Sequence, residues 1–339
     1  MRKIEFICSL SNGNNLGGET LKNEILYKYF RRKAVNFNLL DFEKYKNNKI
    51  IILIKCIISI INPFTDKILL SKASLSSYYF LKLFYYLNFF NKKIYYMVIG
   101  GTFPKFLENK TFNIKYYKNI EKIYIESLKM KEKMINMGLE QTEYLPNFKD
   151  FKMKDRSEKK ISLPLKAVFF SRVTKEKGTE MIFKMLREIN QNGIKVEVDF
   201  YGPIEEGYRE EFKNKVSLIS SANYKGILKQ GEETYDILSK YDFMLFPTLY
   251  YNEGIPGSII DAFISALPII SAKWENYNQI LNSNISYEFE IANQKQFEKI
   301  IFDLINDPKQ LLEKRKKCFE ESKKYHIDNV LKKILEEIN

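Results

Sequence analysis

Apolar positions along the chain fall into short strand-like runs separated by longer segments of helical spacing. In the first half KIEFICSL, VNFNLL, DKILLSK, KIYYMVIG, EKIYIES and TEYLP read as strands, with helices expected near residues 19 to 32, 48 to 61, 75 to 90 and 127 to 138. Such alternation implies a parallel sheet covered by helices on both faces. It lapses after Pro146 in NFKDFKMKDRSEKKISLP, a polar stretch bounded by prolines that reads as an interdomain linker. It resumes with LKAVFFSRV, a helix from Gly178, KVEVDFYG, a strand in either KVSLIS or NYKG, a helix from Glu232, DFMLFP, a helix from Pro256, and LPIIS. The expected class is α/β, with two doubly wound parallel-sheet domains at residues 1–150 and 151–310. Residues 311–339 read as helices packed on the surface, with the option of crossing back to the first domain.

The most apolar segment, IIILIKCIISII at residues 50 to 61, contains Lys55 and is shorter than the about 20 residues a membrane-spanning helix requires. It reads as a buried helix. No signal peptide is read at the start, where a short mixed run meets polar turn residues at once. Cys8, Cys56 and Cys318 lack metal-ligand spacing and cannot all pair, which suggests a reducing, cytoplasmic setting. Charge is uneven: residues 1 to 150 hold 25 basic and 13 acidic residues, net +12, whereas residues 151 to 339 hold 30 and 29. The first half is therefore expected to meet something anionic, such as a membrane surface, a nucleic acid or a phosphorylated substrate, with a solvated lysine-rich face as the alternative.

Four strand-to-loop junctions carry candidate chemistry. In SLSNGNNLGGETL, Gly17 and Gly18 precede a helix and would let backbone approach a ligand, although G-x-G-x-x-G is absent. In FFSRVTKEKGTEMI, Arg172 ends a strand while Lys177 and Gly178 precede a helix, so a forked cation and a point charge could neutralise a diphosphate at the helix N-terminus. FYGPIEEGY is the third. The fourth, FPTLYYNEGIPG, leads into a helix starting near Pro256, whose stripe of Ile259, Ile260, Phe263, Ile264 and Leu267 would be buried. Glu253 lies in the loop and Asp261 inside that helix.

The order S-R-V-x-x-x-K-G, a G-I-L turn at Gly226, then P-T-x-x-x-x-E-G-x-P resembles the C-terminal domain of family 4 glycosyltransferases, which are retaining enzymes of GT-B fold. The resemblance extends over nearly the whole chain, from Gly17–Gly18 through YIESLKMKEKM and LPNF to the tail around His326. It implies an N-terminal acceptor domain and a C-terminal nucleotide-sugar domain facing an interdomain cleft. Arg172 and Lys177 match the pair on the donor diphosphate, and Glu253 the first acid of E-x7-E, which binds donor-sugar hydroxyls. Backbone N–H groups of Gly254, Ile255, Gly257 and Ser258 would line sugar and phosphate beside Pro256, with Gly18 also at the donor. Asp261 stands where the second acid grips ribose. The acceptor is expected near Gly17, Gly18, Gly100, Gly101, Thr102 and Phe103.

Two departures bear on substrate choice. The second acid is Asp, one methylene shorter than the usual Glu, and the family's N-terminal-domain histidine has no counterpart, since the sole histidine is His326. GGTFPKF takes its place. No D-x-D triplet occurs, so transfer without metal or other cofactor is expected, with Arg172, Lys177 and helix N-termini supplying the electrostatics. The resemblance implies a nucleotide diphosphate sugar, UDP foremost, as donor and a glycan or lipid-pyrophosphate-linked glycan of surface or capsular polysaccharide assembly as acceptor. The protein would be cytoplasmic and peripheral at the inner face of the plasma membrane, with no nucleic-acid partner. A sugar-nucleotide epimerase on the same fold is the rival enzyme, disfavoured for want of a histidine acid–base. A basic nucleic-acid-binding protein is the other rival, and no recognisable module supports it.

Overall fold

The computed structural model describes residues 3–10, 18–229 and 231–338. Two compact units form, residues 1–150 with 327–339 and residues 151–326. In the first, β1 (Lys3–Cys8), α1 (Gly18–Arg32), β2 (Phe37–Asp41), α2 (Lys49–Ile61), β3 (Thr65–Ala73) and α3 (Ser74–Leu87) alternate. They continue through β4 (Lys93–Ile99), α4 (Phe103–Glu108), β5 (Lys122–Ile125), α5 (Leu128–Asn136) and β6 (Thr142–Tyr144). The second unit runs β7 (Leu165–Phe170), α6 (Thr179–Ile189), β8 (Val196–Tyr201), α7 (Arg209–Ser217), β9 (Ala222–Gly226) and α8 (Glu232–Leu238). It ends with β10 (Phe243–Phe246), α9 (Gly257–Ile264), β11 (Ile269–Ala272), β12 (Ser286–Phe289), α10 (Gln294–Asn306) and α11 (Gln310–Ser322). Helices α12 (Ile327–Val330) and α13 (Lys332–Ile338) complete the first unit.

Each unit carries a six-stranded sheet, ordered β2-β1-β3-β4-β5-β6 and β12-β11-β10-β7-β8-β9, with every pairing parallel. Buried parallel strands are apolar on both faces, because side chains alternate and helices cover each side. In the first sheet Ile7, Ile68, Leu70, Ile94 and Tyr96 point to the core under α2 and α3. Their neighbours Phe6, Leu69, Tyr95 and Met97 point to the core under α1, α12 and α13. The last two helices place Ile327, Leu331, Ile334 and Ile338 on one stripe, and Tyr29 Oη donates to Asp328 Oδ1 at 2.9 Å. In the second sheet Ala167, Phe169, Val198 and Phe200 face α6 and α7, while Val168, Met244 and Ile269 face α9 and α11.

Several boundaries differ from the reading of the sequence. KVSLIS is helical through Ser217, so the strand belongs to the NYKG alternative. The short strand β12 and helices α4 and α10 had no signal strong enough to separate them from loop or neighbouring helix. Helix α9 starts at Gly257 with Pro256 as its N-cap, one place outside the helix. The largest correction concerns α2: Cys56, Ser59 and Ile60 are buried, yet Ile50 is 71% exposed and Leu53, Ile54 and Ile58 are half exposed. A helix apolar all round gives no clue to which side faces the core.

In the second unit the buried Arg315 of α11 ties the helix to four backbone carbonyls. Its Nε donates to Ser157 O at 3.1 Å, Nη1 to Tyr241 O at 2.9 Å, and Nη2 to Arg156 O at 2.9 Å and Ser239 O at 3.1 Å.

Candidate active site

Strand order in the second sheet reverses between β7 and β10, and a crevice beyond the carboxyl ends of the two strands at such a point is where open α/β sheets take ligands. The loops leaving these two strands hold most of the residues singled out in the sequence. Their geometry rests on two glycines. Gly178 has φ +78°, and a Cβ there would stand 1.9 Å from Pro247 O, so only glycine lets the β7 loop press against the end of β10. Gly202, at φ +141°, lies where a Cβ would come within 1.8 Å of Ser171 O, which brings the end of β8 against Ser171 and Arg172.

Hydrogen bonds fix the rest. Thr174 Oγ1 caps the single turn Lys175–Lys177 by accepting from Lys177 N at 3.3 Å, and Leu249 N donates to Glu176 O at 2.8 Å, joining one loop to the other. Lys177 Nζ and the Glu253 carboxylate form an ion pair across the reversal point, their side chains 13% and 15% exposed. Thr248 Oγ1 lies 3.5 Å from Glu253 Oε2 and accepts from Tyr250 N at 3.2 Å. Two groups from the segment after β11 brace the acidic loop: Asn276 Nδ2 donates to Glu253 O at 3.0 Å and Trp274 Nε1 to Gly254 O at 3.1 Å. Neither stands out in the sequence, save that Trp274 is its only tryptophan.

Helices α6 and α9 both start at this place, and neither has a side-chain cap. Their first N–H groups have no partner within the helix and carry the positive end of the dipole. Gly254, Pro256, Gly257 and Ser258 are half-buried around the start of α9, and Ile255 is buried. Arg172 is exposed and makes no ion pair with a described residue. Cations and free helix N-terminal N–H groups of this kind can hold an anion, and Glu253 adds one carboxylate.

Asp261 is placed differently. It is 7% exposed, one turn into α9, and hydrogen-bonds Tyr235 of α8, whose hydroxyl is pushed up by burial and by that carboxylate. Its carboxylate therefore reaches α8.

Of the first-unit candidates, Gly17 lies outside the described residues, and Gly18 is the exposed first residue of α1. Gly100, at φ +96°, Gly101 and Thr102 form an exposed turn after β4. Phe103 is placed differently: the whole residue is buried, its ring beside Tyr96 and Tyr117. His326 belongs to the second unit, where Nε2 lies 3.1 Å from Phe151 O. All three cysteines are free and buried, and burial raises their thiols, Cys56 to about 12, so none is ionised at neutral pH to serve as a nucleophile.

Sequence relationships agree with this geometry. The model of the family described as glycosyl transferases group 1 matches residues 150–325. No curated protein sequence matches the chain. Among solved structures, Anabaena Alr3699/HepE in complex with UDP is similar at TM-score 0.73 and 12% identity, over 99% of each chain. Sucrose-phosphate synthase from Thermosynechococcus elongatus is similar at TM-score 0.74 and 10% identity, over 99% of this chain and 98% of that one. A glycosyltransferase from Rickettsia africae is similar at TM-score 0.69 and 14% identity, over 99% and 98%. At such identities the likeness shows the fold: two Rossmann-like parallel-sheet units in the GT-B arrangement of elements. With its reversal point, basic loop and acidic loop inside the matched residues, the chain belongs to the group 1 glycosyl transferases.

Proposed function

We propose that the protein is a retaining, family 4 hexosyltransferase that uses a nucleotide diphosphate sugar, UDP foremost, and a lipid-pyrophosphate-linked saccharide acceptor in surface or capsular polysaccharide assembly. The observation that carries this reading is the Lys177–Glu253 pair set between two helix N-termini that lack side-chain caps. The Anabaena protein of the same fold was solved with UDP and with UDP-glucose, which supports UDP as the nucleotide.

In this reading Lys177 exchanges its carboxylate partner for the donor diphosphate, and Arg172 closes on the same oxygens. Glu253, released from Lys177 and held by its braced loop, accepts hydrogen bonds from donor-sugar hydroxyls. N–H groups of Gly254, Ile255, Gly257 and Ser258 and the backbone of Gly18 line phosphate and sugar, and Asp261, oriented by Tyr235, takes the ribose hydroxyls. The bond from the sugar's anomeric carbon to the diphosphate oxygen breaks while the acceptor hydroxyl oxygen bonds to that carbon from the same face. The hydroxyl proton passes to a donor phosphate oxygen. Arg172 and Lys177 stabilise the charge that grows on the departing diphosphate, and no metal ion or other cofactor is required. The acceptor is assigned to Gly17, Gly18, Gly100, Gly101 and Thr102, in a protein working from the cytoplasmic side at the membrane surface.

A thermal-shift panel of nucleotide diphosphate sugars tests the donor, because ligand bound to the folded state raises apparent stability by mass action. A UDP-sugar is expected to raise Tm, and the product glycoside should keep the donor's anomeric configuration by NMR. An inverted product would refute retention; no shift with any member of the panel would refute the donor class.

A further inference from the structure

The outer face of α2 has no counterpart among the described residues of the second unit. Ile50, Leu53, Ile54 and Ile58 recur at helical spacing on one side and are each half exposed or more. Past the first residue, Lys49, the polar residues of the helix avoid this stripe: Ser59 is buried inward and Lys55 lies 4.9 Å over the Tyr45 ring. Beyond the helix the apolar surface continues at Phe64, 79% exposed, and at Phe89 and Phe90, 74% and 54% exposed. These phenylalanines share one end of the unit. Their loops lead into neighbouring strands with Lys67 opposite Lys93, and Lys92 Nζ links them, donating to Ser59 O at 2.8 Å and Thr65 Oγ1 at 2.6 Å. On α3, Tyr79, Lys82 and Tyr86 stand exposed in one row.

Charge narrows the choice of partner. Lys44, Lys46 and Lys49 are exposed at the start of α2 and just before it, Lys82 is exposed on α3, which packs on α2, and from Lys44 to Lys118 the only acids are Asp66 and Glu108. A second copy of the chain in a two-fold dimer would set this lysine rim against itself. A folded acidic protein would need hydrogen-bonding groups within the patch, and the stripe has none. An apolar stripe bordered by lysine and tyrosine, with phenylalanine at one end, matches the boundary between headgroups and acyl chains. With a rise of about 1.5 Å per residue the helix is about 20 Å long, enough to lie in that boundary and too short to cross it.

We propose that the stripe of α2 with Phe64, Phe89 and Phe90 docks on a bilayer containing anionic phospholipid. This deepens the membrane-surface part of the function proposed above and does not depend on the donor site. The test uses the full chain in co-sedimentation with vesicles of phosphatidylcholine, alone or mixed with phosphatidylglycerol. Wild type is expected to bind the mixed vesicles at low salt and to release as salt rises. Ile54→Asp with Ile58→Asp should weaken that binding by at least about tenfold, and Lys49→Glu with Lys82→Glu by several-fold. UDP titration of the same samples reads the donor site and should give the same affinity for both variants as for wild type. Equal binding to neutral and mixed vesicles, or none at any salt, overturns the proposal. So does a wild-type dimer in light scattering that the isoleucine variant dissolves, because the face would then be covered by a second copy.

Discussion

Each sheet reverses its strand order once, and both reversal points hold a lysine paired with a glutamate; what surrounds the pair differs. In the first unit the reversal lies between β1 and β3, where Lys72, 5% exposed at the end of β3, lies 3.0 Å from Glu19 Oε1 and donates to Ser9 Oγ. Asn23 of α1 donates to the carbonyls of both Ser9 and Ser71 at 3.1 Å and accepts from Ser71 Oγ at 2.5 Å. Lys22 pairs with Glu126, and Lys72 also sits 4.8 Å over the Phe42 ring. These side chains stitch α1 to its sheet, although the buried Glu19 Oε1, within ion-pair distance of Lys72, accepts no hydrogen bond. At the other reversal point the lysine rides on a short turn, its glutamate on a braced loop, and two helices begin without caps. The difference is between a reversal point crossed by polar side chains of its own and one that, in the proposed function, is held open for an anion.

The sharpest way to break this contrast is at the glycines. Gly178→Val puts a branched side chain at positive φ where a Cβ already meets Pro247 O, and should cost at least about 2–3 kcal/mol in denaturant unfolding and abolish measurable transfer. Gly101→Ala, whose Cβ enters open space in the first unit, should stay within about 0.5 kcal/mol of wild type. The lysines come next. Lys177→Ala should lower kcat/KM by on the order of 10² with unfolding midpoint little changed. Lys72→Met should instead act on folding, costing about 1–3 kcal/mol by leaving Glu19 without its cation, while the folded enzyme keeps its turnover. A loss of turnover equal to that of Lys177→Ala, without destabilisation, would end the distinction between the two sites. The smallest effect is expected from Trp274→Phe, which removes the donor to Gly254 O and should cost about 1 kcal/mol, roughly fivefold in kcat/KM.

The open site was legible in the sequence because its groups sit within a few residues of strand ends, where S-R-V-x-x-x-K-G and P-T-x-x-x-x-E-G-x-P record loop chemistry directly. The closed site was not. Ser9, Asn23 and Lys72 are far apart in the chain, and a lysine inside a strand pattern gives no sign that the fold will bury it among partners. Trp274 and Asn276 act through backbone carbonyls twenty or more residues away, which no local pattern encodes. Alternation of strands and helices carried the two-sheet architecture, yet periodicity failed for α2, where every face is apolar, and for β12, which is only four residues long. The tail read as surface helices with the option of crossing back to the first domain; α11 lies in the second unit on Arg315, and α12 and α13 join the core of the first.

In the proposed donor site Lys177 holds the diphosphate and Glu253 waits for the sugar. Calorimetric titration of UDP into wild type, Lys177→Ala and Glu253→Gln tests it directly. Lys177→Ala is expected to bind at least about tenfold more weakly than wild type, as loss of a charge-assisted contact requires, while Glu253→Gln binds within about twofold of wild type. Equal UDP affinity in wild type and Lys177→Ala, or a loss in Glu253→Gln as large as that in Lys177→Ala, would contradict it.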